Sequence, residues 1–495
     1  MNAMPVALLL SIPLAAAAAT LFLRRRAFIE AVHLTAAAAI FLSAAFLARD
    51  VLAAGTLSFF HGFFHADALS ALVTFLTALV FLIAAPYTVG FFRRPAPGEG
   101  APLGGREIRN YHALTHLFVF TLLAVSLTGN LGLMWVALEG ATLASVFLVA
   151  FYGKPTSLEA AWKYAILGGV GLSMALFGTI LTYYAAHQAT GGETWEALNW
   201  PFLASASRSF DPLVMRLAFI LILLGYGTKA GLAPMHTWKP DAYSEAPVPV
   251  AALMATAMLN CALYGLMRFS LLAAPAAGAT FAANLLALFG VLSIAVAVPF
   301  ILVQRSARRL LAYSSIEHCG IISLGLGLGG PLGPLGAMLH MLYHSAAKPL
   351  LFFCAGNVQQ HTGNDTLRKS AGGLIHVLPV TGAAFFAAAL ALTGTPPFPL
   401  FLSEFTILRA AFARGMLWVA LLVVALLVAI FAGLFSHVSR LVFGPRPDLA
   451  RGDLNRWTTW PLPVLAAALL AMSFWIPGPL LALVEAAAKI LEVRP

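Results

Sequence analysis

Charge is scarce in this sequence. Charged residues fill 10% of its 495 positions, against roughly 25% in soluble domains, and that shortage excludes a set of ordinary water-exposed domains. Cysteine is nearly absent too. Cys261, Cys319 and Cys354 stand alone in apolar stretches and make no CxxC pair, so iron–sulfur clusters, structural zinc and a disulfide framework lack a ligand set. Long polar segments are also lacking. The longest breaks between apolar runs, 186–212, 93–111, 356–375 and 440–459, are too short to hold a second domain. Redox or nucleotide chemistry therefore belongs on partner chains, and no cofactor or metal is expected here. Gly325, Gly327 and Gly330 resemble a phosphate loop in spelling only, since no βαβ unit surrounds them.

What the sequence has is apolar length: 61% of its residues are hydrophobic. A hydrocarbon core about 30 Å thick takes ~20 residues of helix. Such runs recur fourteen times, near 3–23, 28–47, 66–92, 112–128, 131–151, 162–185, 213–235, 247–269, 281–303, 311–328, 333–355, 376–412, 417–439 and 460–485. Leu and Ala dominate and ten-residue alternation is absent, which disfavours a barrel; helices satisfy their own backbone groups in lipid. The expected fold is an all-α integral membrane protein of about 14 transmembrane helices, a single transmembrane domain over 1–495.

No basic region precedes the first run, and Arg24, Arg25 and Arg26 follow it, so it reads as a retained span rather than a secretion signal. With that triplet in the cytoplasm, alternate loops should be basic. Nineteen of the 29 Lys and Arg fall in those loops or at their edges, Lys239, Arg368, Lys369 and Arg446 among them. Eight, including Arg268 and Arg494, fall opposite, and Lys229 and Lys348 lie within spans. Both termini then face outward. The net charge of +10 is a signature of topology and anionic lipid; its scatter over separate short loops speaks against nucleic acid.

Two spans are interrupted at comparable places. The seventh carries Gly225-Tyr-Gly-Thr-Lys229-Ala-Gly-Leu-Ala-Pro234, and the twelfth carries Thr393-Gly-Thr-Pro396-Pro397-Phe-Pro399-Leu-Phe-Leu-Ser-Glu404. Unwound backbone is tolerated in a membrane only where it lines a polar cavity, and paired breaks point to inverted repeats with ion sites at midplane depth. The expected division is helices 1–3 over 1–111, a first five-helix repeat over 112–269, a second over 281–439, and helix 14 with the C-terminus over 460–495.

An ionisable group in mid-membrane costs at least ~2.5–3.5 kcal/mol, which makes each one a functional candidate. Glu139 lies well inside the fifth span and Lys229 in the broken seventh. Facing one another they would form a loadable proton site; the alternative is a static ion pair. His340, His344 and Lys348 recur at i, i+4 and i+8, one stripe of the eleventh helix and a ready relay. HxxxH is also metal-ligand spacing and recurs at His112 and His116, so a haem-bearing electron-transfer bundle is a competing reading. It leaves Glu139, Lys229, Lys348 and Glu404 unexplained. Glu404 follows the twelfth-span break as an exit group, or as a solvated carboxylate if the break brings it to the surface. Glu317 and His318, near the cytoplasmic start of the tenth span, and Lys163, paired in sequence with Glu159, are candidates for proton uptake. His236, with Lys239 and Asp241, reads as a cytoplasmic mouth or a loop-fixing cluster.

From Gly225 to Arg268, with Thr-Lys229-Ala-Gly-Leu-Ala-Pro234-Met-His-Thr-Trp238-Lys-Pro-Asp241-Ala-Tyr-Ser-Glu-Ala-Pro247, through Leu310-Leu-Ala-Tyr-Ser-Ser and on through His340 to Asn357, the sequence resembles the antiporter-like membrane subunits of respiratory complex I and its relatives. Around Asp241 to Pro247, Ser315-Ile-Glu317-His318 and Pro396-Pro397-Phe398 it is most similar to the F component of the hydrogenase-four type membrane-bound hydrogenases. The resemblance covers roughly spans four to thirteen. It implies a proton-pumping module in a bacterial or archaeal inner membrane, partnered by other membrane subunits and a peripheral hydrogenase or dehydrogenase arm. By position it implies proton-translocating roles for Glu139, Lys229, His340, His344, Lys348 and Glu404. One departure stands out: several relatives carry a lysine in the eighth helix where Asn260 stands here. A sodium/proton antiporter subunit of the multisubunit type, or a partner of an inorganic-carbon uptake complex, is the neighbouring alternative.

Overall fold

The computed structural model describes residues 4–94, 104–191, 196–363, 365, 367, 372–445, 450–453 and 455–492. Helices α1 (Met4–Phe22) and α2 (Arg26–Ala54) are followed by a short antiparallel hairpin, β1 (Leu57–Phe59) with β2 (Phe64–Ala66). Next come α3 (Ala68–Arg93), α4 (Gly105–Leu127), α5 (Leu131–Val149), α6 (Pro155–Thr190) and the short α7 (Trp200–Ala206). After α8 (Pro212–Ala230) and α9 (Trp238–Glu245), α10 (Val248–Leu253) runs through a π-helical stretch, Met254–Met258, into α11 (Leu259–Ala277). Then follow α12 (Ala279–Val303), α13 (Ala307–Leu328), α14 (Leu332–Thr362), α15 (Leu374–Val377), α16 (Pro379–Leu392), α17 (Leu400–Ala413) and α18 (Leu417–Phe443). The chain closes with α19 (Arg456–Thr459), α20 (Pro461–Phe474) and α21 (Gly478–Ile490).

Local chemistry sets many of these boundaries. Asp67, Asn130, Asp211 and Ser306 each accept a backbone N–H in the first turn of the helix they open, which satisfies donors the helix itself leaves orphaned. Pro379 and Pro461 occupy first helical positions, where a missing N–H costs nothing. Gly231, with φ 82°, ends α8 in the left-handed conformation that favours glycine.

Among the described residues, eleven helical runs are long and apolar enough to cross a membrane. They coincide with eleven of the fourteen runs read from the sequence. The other three are α13, α14 and the α16–α17 pair. The first two carry Glu317, His318, His340, His344 and Lys348, and each half of the third is 14 residues. The stretches that fall short are those that hold the candidate residues.

The continuous α10–α11 run is buried on every side, and α3 largely so, whereas α12, α18 and α20 turn most of their apolar surface outward. An inside packed against protein and an outside of Leu, Val, Phe and Trp is the pattern of a bundle solvated by lipid.

Several sequence expectations need correction. The seventh span stops at Ala230, and 238–245, read as loop, forms the second half of a broken helix. Lys239, counted as a loop charge, is fully buried. Arg268, counted with the outward loops, is 1% exposed and grips Asp67 with two hydrogen bonds of 2.7 Å. The last span is interrupted at 475–477, where Pro477 and Pro479 flank the start of α21. Of the loop cations, Arg368, Lys369, Arg446 and Arg494 lie outside the described residues.

Candidate functional site

The first half of the site is built by α5, α6 and α8. Lys229 occupies the last turn of α8 and is buried. Its amine donates to Thr142 Oγ1 at 2.8 Å and to Tyr164 Oη at 2.5 Å, and lies 4.7 Å from the Tyr164 ring centre. Tyr164 is held in turn by Ser145 at 2.7 Å and by stacking on Trp238 at 4.5 Å. Trp238, the first residue of α9, donates to the Thr228 carbonyl across the helix break. The break therefore sets the lysine's phenol partner as well as the lysine.

Glu139 and Lys229 do not form a contact ion pair. Glu139 is half-buried on α5 with Oε2 buried and unpartnered, and Thr142, one turn along the same helix, takes the lysine's hydrogen bond instead. The lysine's neighbours in contact are neutral hydroxyls, so no touching carboxylate locks its charge.

At the basic face, Lys163 pairs with Glu159 at 2.7 Å and with Asp241 at 3.0 Å, and Arg309 reaches Asp241 at 2.6 Å. With Thr156, Ser244 and Glu245 these residues line a cavity of about 200 Å³. It is a polar vestibule at the ends of α6, α9 and α13. His236 does not line it: that ring sits in the break with Nδ1 unpartnered, 6.4 Å from Phe300. Lys239 turns inward to donate to the Ala230 carbonyl at 2.5 Å, and its side chain fills the space where Gly231 has no Cβ.

The second half centres on α14. His340, His344 and Lys348 are all fully buried on one stripe. His340 Nε2 shares a proton with His318 Nδ1 at 2.9 Å, and its Nδ1 meets Ser403 Oγ at 2.9 Å. His344 stands 4.9 Å from the His318 ring, with both ring nitrogens unpartnered. Lys348 donates to Ser314, one turn before Glu317 on α13. Glu317 is 2% exposed and His318 0%, so neither lies at the surface, where the sequence reading had put them. The helix α13 itself starts at Ala307, four residues before the sequence boundary at 311.

Glu404, in the first turns of α17 after the break, is buried, and its carboxylate comes within 4.8 Å of ring nitrogens of His318 and His340. Thr393, Gly394, Phe401, Leu427 and Val428 surround it in a pocket of about 290 Å³ between the break and α18. His318 Nε2 is buried without a partner, so within this group the His318–His340 contact is the one hydrogen bond and Glu404 stands near it without touching. On α11, Asn260 Nδ2 donates to Ser345 Oγ at 2.9 Å, next in sequence to His344.

Haem ligation does not fit. His318 packs on His344, and His33 on His112 with rings 4.5 Å apart, so the imidazoles face one another and not a porphyrin-sized slot. The residues missed by sequence reading are the hydroxyls Thr142, Tyr164, Ser314, Ser345 and Ser403. Helical spacing held the clue, since Thr142 follows Glu139 by three and Ser314 precedes Glu317 by three.

The protein is 38% identical over 417 residues to a Hydrogenase-4 component F homolog of Methylacidiphilum infernorum (isolate V4), covering 84% of this chain and 86% of that one. It is 35% identical over 370 residues to an NADH-quinone oxidoreductase subunit N of Desulforudis audaxviator (strain MP104C), covering 74% and 69%. Its structure superposes on a chain of the membrane-bound sulfane sulfur reductase, an archaeal respiratory membrane complex, with a TM-score of 0.87, 25% identity and coverage of 99% and 98%. Residues 128–430, which contain every element of both half-sites, match the family described as NADH:quinone oxidoreductase/Mrp antiporter, transmembrane, and the chain belongs to that family of antiporter-like membrane subunits.

Proposed function

We propose that the chain is the proton-translocating subunit of a multisubunit energy-converting complex in a bacterial or archaeal inner membrane, with redox chemistry confined to a peripheral arm. One observation carries the reading. Two lysines, Lys229 and Lys348, are buried in a membrane-type interior with hydroxyl groups and no carboxylate in contact. Each amine donates to a hydroxyl that lies one helical turn from an acid, Thr142 from Glu139 and Ser314 from Glu317. Such costly charges persist where they move charge.

Protons enter at the Lys163–Asp241 vestibule, load Lys229, cross at Asn260 and Ser345, and pass by Lys348, His344, His318 and His340 to Glu404. The breaks after α8 and before α17 belong to two inverted repeats, 112–269 and 281–439, within fourteen spans whose termini both face outward. The family's description includes Mrp antiporters, so sodium exchange is the alternative cargo chemistry.

The test uses inverted membrane vesicles holding the complete complex. Lys229→Ala and Glu139→Gln should abolish proton uptake driven by substrate oxidation while the complex assembles at near-normal yield. Uptake that persists undiminished in both variants overturns the site assignment, and uptake that requires added sodium favours the exchanger.

A further inference from the structure

Three buried histidines lie on helices that contribute nothing to the row just described. His33 on α2 touches His112 and His116 on α4, with ring centres 4.5 and 5.2 Å apart and a 3.3 Å contact between His33 Nδ1 and His116 Nε2. His33 Nε2, His112 Nδ1 and His116 Nδ1 are buried without a partner. An unsatisfied buried polar atom is costly, and such groups in a native fold call for a reason beyond packing. One turn before His33, Glu30 receives Arg26 at 2.8 Å and Arg93 at 2.5 Å. Both arginine side chains reach solvent at the basic face, so the cluster has a charged, hydrated neighbour there.

A second polar run approaches from the opposite face. Asp67, Ser70, Thr74 and Thr77 follow α3 at intervals of three and four, one stripe of the helix. Arg268 ties Asp67 to Ser70, Ser70 meets Tyr264 at 3.0 Å, Thr74 meets Ser126 at 2.8 Å, and Thr77 lies 3.9 Å from the Cys261 sulfur. The next position on the stripe is Phe81. Its ring stands edge-on to His33 at 5.3 Å and to His116 at 5.5 Å. One aromatic side chain, a single helical turn of ~6 Å beyond Thr77, separates the two runs.

We propose that these runs are the halves of a second proton path, parallel to the central row and closed at Phe81, with the three-histidine cluster as its proton-holding site on the basic side. A proton taken up at one ring nitrogen leaves from the other, so each imidazole returns to neutrality with its tautomer exchanged. Hydroxyls on α3 relay in the same way, accepting one proton and donating another. Phenyl carbon does neither, and a path open throughout would dissipate the gradient. The inference does not depend on the role of Lys229 or Glu404.

The test is passive proton permeability in vesicles carrying the intact complex, without redox substrate, after an imposed pH step. Phe81→Ala lets water join the two runs and raises permeability several-fold over wild type; adding His33→Leu and His116→Leu returns it to the wild-type value. Permeability unchanged by Phe81→Ala in an assembled complex, or a leak that survives loss of both histidines, overturns the proposal. If Phe81→Ala does not assemble, histidine C2 hydrogen–deuterium exchange on the unmodified complex decides it. Exchange at His33, His112 and His116 supports a proton-accessible cluster, and no exchange at any of them overturns it.

Discussion

Gly394 lies directly against the Glu404 carboxylate: a Cβ at position 394 would overlap Oε2. The same residue holds φ 61°, a conformation costly for any side chain. The break in α16–α17 thus makes room for the acid at its far end. Gly394→Ala is expected to destabilise the protein by about 1–3 kcal/mol through the backbone and to displace Glu404 from His318 and His340. Proton uptake in vesicles should fall at least as far as in Glu404→Gln. Full uptake in an assembled Gly394→Ala complex would show that the Glu404 position is not needed.

Tyr164 supplies the shorter of the two hydrogen bonds to the Lys229 amine, at 2.5 Å. Tyr164→Phe keeps the stacking on Trp238 and removes only the hydroxyl. Lys229 then retains Thr142 alone, and uptake should slow about tenfold, the equivalent of about 1.4 kcal/mol in the barrier. Lys229→Ala, by contrast, removes the proposed carrier itself. Equal rates for Tyr164→Phe and wild type would assign the phenol a packing role.

Much of this was legible in the sequence. Apolar run length marks the bundle, and the rarity of charge within it marks Glu139, Lys229, Lys348 and Glu404. The 3.6-residue period places His340, His344 and Lys348 together. Hydroxyls left no such mark, because Thr142, Ser314 and Ser403 carry no charge whose burial is costly and their residue types are common in membrane helices. Arg268 was misplaced because an arginine near a helix end looks like a loop cation when its partner, Asp67, lies 201 residues away. Lys239 was misplaced because it falls between two long apolar runs, where the short polar segment Trp238–Glu245 forms a helix that no apolar run announces.

The Asp67–Arg268 pair gives a prediction about acid stability. Burial works to raise the Asp67 carboxyl, but the Arg268 guanidinium, a contact from His65 and the Ser70 amide together hold it well below the usual carboxylate range. A carboxylate depressed in the folded state stabilises above its unfolded pKa of about 3.9 and loses that contribution as pH falls through the folded value. Asp67→Asn leaves Arg268 buried and uncompensated, a loss of about 3–5 kcal/mol. The melting temperature of the solubilised complex should therefore drop in Asp67→Asn at neutral pH. The gap should hold down to about pH 4 and close below it. Replacing both partners, as in Asp67→Leu with Arg268→Met, should cost less than the sum of the single changes. A gap independent of pH down to full acid unfolding would contradict the pairing.

The proposed central row crosses from one half to the other at Asn260. Its Nδ2 is committed to Ser345, while Oδ1 is buried without a partner, as are both ring nitrogens of the neighbouring His344. An amide neither gains nor loses a proton near neutrality, so Asn260 can only position a water or a hydroxyl that does. The π-helical stretch just before it, Met254–Met258, shifts the register of α11 relative to α10, and such insertions are frequent at functional positions. Asn260→Leu removes the hydrogen bond and fills the space next to Ser345 with methyl groups, and uptake should fall about tenfold or more. Asn260→Lys places a titratable amine at the same point and should retain uptake with an altered pH profile. If Asn260→Leu pumps at the wild-type rate, protons pass between Lys229 and Lys348 by a route that avoids α11, and the first alternative to examine is the buried amine of Lys239.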